Sequence, residues 1–104
     1  MPEVERRLRD KAREKLSNGT LPLVKPDRTW GGPGSGLECS VCELHVTNEQ
    51  IELEVQFVRA RGRPLVLNFH LACFSAWELE RGLLVRASLT KAPSPARPPG
   101  ASAV

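Results

Sequence analysis

The chain has 104 residues, 15 Lys or Arg against 12 Asp or Glu, a formal net charge of +3 and three cysteines. That length supports one small domain, whose core needs a metal, a disulfide or a partner to become stable. Three cysteines cannot all pair with one another, and no stretch approaches the ~18 apolar residues of a membrane span.

From Glu3 to Leu16, "EVERRLRDKAREKL" sets Val4, Leu8, Ala12 and Leu16 four apart among charges, the pattern of an amphipathic helix. Asn18 and Gly19 supply its stop signal, so residues 1–19 read as a basic helix. Residues 20–36 read as an extended arm with prolines at 22 and 26, running into the glycine-rich linker "GGPGSG". Trp30 is expected to anchor that arm on the core. After the cysteine pair, "IELEVQF" alternates, with Ile51, Leu53, Val55 and Phe57 on one face and Glu52, Glu54 and Gln56 on the other. The turn "VRARGRP" and the run "LVLNF", with Leu65, Leu67 and Phe69 in phase, complete a hairpin. "HLACFSAWELERG" suits a short helix with Cys73, Phe74 and Trp77 inward, closed by Gly82. "LLVRASL" reads as a strand or a lead-out, and the proline-rich residues 86–104 as a disordered tail. Residues 37–85 form the expected folded domain, and the fold class is a small α+β module.

Charge is unevenly distributed. Met1–Arg28 carries eight Lys or Arg against five acids and Leu83–Val104 three against none, whereas Thr29–Gly82 has four Arg against seven Glu. With no secretory signal visible in the charged stretch Met1–Ser17, the expected setting is a reducing cytoplasm, without membrane association.

The chemistry concentrates in C-x2-C-x27-H-x2-C, formed by Cys39, Cys42, His70 and Cys73. Three sulfurs and one imidazole match a closed structural Zn2+ site. The last two ligands lie one turn apart at a helix start, where they face the same way and where the helix dipole is expected to lower the Cys73 thiol pKa. A redox CxxC begins a helix beside a βαβ pattern, whereas this one precedes a hairpin. Cys39-x2-Cys42-x2-His45 is a second ligand series, but it would waste the one-turn pairing of His70 with Cys73; outside it, His45 is an exposed residue at the start of the hairpin. Four protein ligands leave no position for an activated water, and Ser40, Thr47 and Ser75 have no evident triad partners, so no enzyme activity is expected.

"CSVC", the hairpin and "FHLACFSAWELER" resemble a treble-clef zinc finger. With an aromatic residue before the histidine and "CF" at the last ligand, they are similar to the poly(ADP-ribose) polymerase-type zinc finger over Glu38 to Arg81. The resemblance implies zinc at Cys39, Cys42, His70 and Cys73, and recognition of DNA breaks through a basic surface and exposed apolar residues. The loop between ligand pairs is slightly shorter than in that family, and Thr29–Gly82 is acidic.

That acidity is the wrong sign for phosphate contact. A non-enzymatic protein-interaction or regulatory adaptor is therefore the leading reading, motivated by the N-terminal apolar stripe, which must pack on the domain, on a second copy or on another protein. The sequence names no partner and does not choose between monomer and weak dimer. The alternative is a DNA- or RNA-binding finger using Arg6, Arg9 and Arg13 of the N-terminal helix with Arg59, Arg61 and Arg63 of the hairpin turn.

Overall fold

The computed structural model describes residues 3–91, which form helix α1 (Glu3–Ser17), strands β1 (Arg28–Pro33), β2 (Ile51–Phe57) and β3 (Leu65–His70), and helix α2 (Leu71–Lys91). The strands make one antiparallel sheet in the order β1-β2-β3. Helix α2 packs on one face of it, and α1 packs on α2. The architecture is a small α+β fold. Among the described residues, no helix is long and apolar enough to cross a membrane.

The alternating pattern of β2 holds with two exceptions. Val55 and Phe57 are buried and Leu53 is half-buried, but Ile51 is exposed at the strand start and Glu52, on the opposite face, is buried. The Glu52 carboxylate accepts hydrogen bonds from the Ser35 amide (2.8 Å), the Ser35 hydroxyl (3.0 Å) and the Asn68 side-chain amide. Three donors explain how a carboxylate survives burial.

A third strand lies where the arm and linker were expected. Arg28–Pro33 pairs with β2 from Arg28↔Gln56 to Pro33↔Ile51, and Gly34 N–H continues the ladder to the Gln50 carbonyl at 2.9 Å. That parity turns the backbone groups of Arg28, Trp30 and Gly32 toward β2, and those of Thr29, Gly31 and Pro33 outward. Pro33 therefore removes no ladder donor. Gly34 is required by close approach: a Cβ there would lie 2.0 Å from the Thr47 carbonyl oxygen.

The core gathers around Trp77, which is fully buried. Its ring stacks on Phe69 (5.4 Å, 19°), meets Phe57 edge-on (6.1 Å, 85°) and donates its N–H to the Pro22 carbonyl at 3.1 Å. The α1 stripe packs on α2 here, with Ala12 and Leu16 buried, Leu8 half-buried and Val4 exposed. Helix α2 does not stop at Gly82 but continues to Lys91, because Leu84, two residues further, packs against the same core. That contact outweighs the cost of about 1 kcal/mol for an interior glycine. Residues 86–91 thus belong to α2, and the rest of the expected tail lies outside the described residues.

Trp30 does not anchor the arm on the core. It lies on the sheet face away from the helices, opposite Glu54, and is 45% exposed. Phe74 and Trp77 take the core positions instead.

Candidate metal centre

Cys39, Cys42, His70 and Cys73 come together at the end of the sheet farthest from the β2–β3 turn. Their donor atoms all lie within 4.8 Å of one another, with His70 Nδ1 at 3.3 Å from Cys42 Sγ and 3.9 Å from Cys73 Sγ. A tetrahedron with metal–sulfur bonds of about 2.3 Å and a metal–nitrogen bond of about 2.0–2.1 Å has edges of roughly 3.5–3.8 Å. The four residues can therefore hold one ion between them.

Each ligand is placed by its own element. Residues 38–45 form a tight knuckle, closed by Cys39 N–H to the Leu44 carbonyl (2.8 Å), Glu43 N–H to the Cys39 carbonyl (2.9 Å) and an isolated bridge between Glu38 and His45. Glu43 takes the left-handed conformation (φ 69°) that the turn demands. Ser40 N–H donates to the Asn68 carbonyl at 2.8 Å, which fixes the knuckle to the edge of β3. His70 is the last residue of β3, and Cys73 lies in the first turn of α2.

Backbone donors point at the sulfur of Cys39: Val41 N–H at 3.4 Å and His70 N–H at 3.5 Å. Hydrogen bonds of this kind favour a thiolate. The second nitrogen of His70, Nε2, lies 3.2 Å from the His45 carbonyl. Donation to that carbonyl puts the ring proton on Nε2 and leaves the Nδ1 lone pair aimed at the sulfurs, the outer-shell arrangement typical of a ligating histidine.

The three thiols titrate as a group. A hydrogen bond from Cys73 lowers Cys39 to about 4 despite its burial. The same contact with Cys39, together with burial, pushes Cys73 upward, and burial raises Cys42 as well. The expected lowering of Cys73 by the α2 N-terminus is thus overridden by its sulfur neighbours. Sulfurs this close favour one thiolate unless a cation lies between them, whereas a dication favours all three.

His45 is not part of the cluster. Its Nδ1 donates to the Gly36 carbonyl at 2.7 Å and its ring is exposed. What it contributes to the site is its own carbonyl, a contact set by the knuckle backbone and not by residue type.

The arginines proposed for partner binding lie in different environments. Arg9 and Arg13 both bond to Glu80, at 2.5 and 2.9 Å. Burial opposes the charge on Glu80, but hydrogen bonds from Arg13 and Arg9 outweigh it and hold the carboxyl below its ordinary range. Arg6 pairs with Glu3 at 2.6 Å. Arg59, Arg61 and Arg63 are exposed in the β2–β3 turn, apart from α1. Lys15 bonds the Ser40 carbonyl (3.0 Å) and Glu43 (2.7 Å), tying α1 to the knuckle. Glu80 was legible: Cys73, Trp77, Glu80 and Leu84 recur at helical spacing on one face, opposite an Arg9/Arg13 pair four apart.

No protein-family model, curated protein or solved structure matches the chain. The case for function rests on the chemistry of its own residues.

Proposed function

We propose that the chain is a non-catalytic zinc module, in which a Cys3His site stabilises a small domain that serves as a protein-interaction or regulatory adaptor. The observation that carries this reading is the convergence of one imidazole nitrogen and three sulfurs within 4.8 Å of one another. Calcium and magnesium take oxygen ligands, whereas a tetrahedral set of sulfur and nitrogen suits zinc. With four protein ligands the metal's role is to join the knuckle, β3 and α2, and no coordination position is left for a reacting water. The succession of knuckle, β2–β3 hairpin and α2 supports a treble-clef arrangement, and the resemblance to the poly(ADP-ribose) polymerase-type finger rests on those same residues.

A protein partner is favoured over nucleic acid by the state of α1. Arg6 and Arg7 are paired with Glu3, Arg9 and Arg13 with Glu80, and Lys15 with Glu43. Much of the helix's positive charge is thus met within the molecule, which weakens it as a phosphate-binding surface.

The test is a Zn2+ titration of reduced, metal-free protein followed by far-UV circular dichroism and amide spectra. The native signals should appear in step with one equivalent of zinc and vanish with chelator. A protein that is fully folded without metal, or that ignores it, contradicts the proposal.

A further inference from the structure

The two edges of the sheet differ. The knuckle caps the edge of β3 through the bond from Ser40 to Asn68, whereas the outward backbone groups of Thr29 and Gly31 on β1 meet no partner among the described residues. An open edge carries main-chain donors and acceptors in the spacing of a further strand. Natural sheets usually blunt such an edge with charge, proline or a bulge. Here Pro33 ends it on one side, and the two residues before it are glycines.

Beside that edge is a cleft lined by Trp30, Gly31, Gly32, Pro33, Glu52 and Glu54, about 120 Å³ in volume. The register places Trp30 directly opposite Glu54, and Gly32 opposite Glu52. Gly32 has no side chain to fill the space: nothing lies within 4 Å of where its Cβ would be. Glu52 is committed to Ser35 and Asn68, but Glu54 is exposed and has no partner among the described residues. The Trp30 indole is 45% exposed beside it. An aromatic face next to an unpaired carboxylate is a receptor for a cation on a flexible apolar stem.

We infer that β1 is a docking edge for an extended peptide that adds to the sheet as a fourth strand and places a lysine or arginine side chain over Trp30, with its charge at Glu54. Main-chain bonds to Thr29 and Gly31 supply affinity, and the Trp30–Glu54 cleft supplies selectivity for a basic residue. Arg28 lies two residues from Trp30 on the same face of β1, and Arg59, Arg61 and Arg63 lie in the β2–β3 turn; none of the four has a partner among the described residues. They disfavour a uniformly basic peptide, so the ligand is one with a basic residue at a single position rather than a polycation. The inference rests on the adaptor reading and names the class of its partner.

The test uses zinc-loaded full chain, with metal content and amide dispersion verified first. The probe is a blocked peptide of alternating threonine and valine with one central lysine. Saturable shifts centred on the amides of Thr29 and Gly31 are expected, with slowed exchange of those two amides. Replacing the lysine by glutamate should weaken binding by about tenfold or more, and Trp30→Ala or Glu54→Gln by about three- to tenfold. Thr29→Pro should abolish binding without unfolding the protein, because the lost N–H points outward. Shifts confined to the Arg59–Arg63 turn, equal binding of the glutamate peptide, preference for an oligonucleotide, or indifference to Trp30→Ala would each overturn the inference. If folded, zinc-bearing protein fails to bind, only the docking edge is refuted; if the preparation holds no metal, the proposed function falls as well.

Discussion

Two regions of the molecule are held together by different physics. At the helical end, Ala12, Leu16, Phe57, Phe69 and Trp77 form an apolar core. At the knuckle end, Val41 and Val46 are buried, and the space between β3 and α2 is filled by three sulfurs and an imidazole. The first end is stable in proportion to buried area. The second assembles thiols that oppose one another's ionisation and becomes favourable only with a cation at their centre. Lys15 bridges the two, reaching from α1 to the knuckle backbone.

The contrast breaks most completely by removing a ligand. Cys73→Ser should abolish stoichiometric zinc binding and with it cooperative structure from Glu38 to Arg81, a loss on the order of 10 kcal/mol in metal-linked folding free energy. Hydrogen exchange reads this as lost protection of the Cys39 and Glu43 amides. Trp77→Ala strikes the other end. It should cost about 3–5 kcal/mol in urea denaturation of the zinc form while leaving one metal bound to the folded molecules. Glu80→Ala, which removes the acceptor shared by Arg9 and the largely solvated Arg13, should cost about 2 kcal/mol.

The Glu80 contact also has a pH signature. Because the carboxyl is held below its ordinary range in the folded state, its contribution is fully present above the unfolded value of about 4.3 and is lost as pH falls through the depressed one. Acid sensitivity of the thiolates is common to both proteins, so the difference in stability between the parent and Glu80→Gln isolates this contact. That difference should shrink below about pH 4. The smallest expected effect separates the two histidines. His45→Ala should cost about 1 kcal/mol or less and keep the metal, since its exposed ring bonds the Gly36 carbonyl and lies outside the cluster, whereas His70→Ala should lose it.

Much of the site was legible because its spacing is local. Two residues between ligands, repeated in a knuckle and in a helix start, leave little freedom, and the β2–β3 alternation fixes how the pairs meet. Strand β1 was hidden because its signals are those of a loop: "RTWGGP" has two glycines and a proline, and only the register shows that Pro33 faces outward. Burial of Glu52 was hidden for a related reason, as its donors come from Ser35 and Asn68 on other segments. The end of α2 was misplaced because Gly82 is a stop signal locally, and only packing of Leu84 carries the helix past it. Trp30 was assigned to the core on hydrophobicity alone, while the sheet's two faces decide its exposure.

The proposed module depends on a single zinc ion shared by Cys39, Cys42, His70 and Cys73. Zinc-edge X-ray absorption on reduced, full-length protein, with elemental analysis of the same sample, addresses it directly. The expected result is one zinc per chain with three sulfurs at about 2.3 Å and one nitrogen at about 2.0–2.1 Å. A protein without stoichiometric metal, or a shell of oxygen and nitrogen alone, would contradict it.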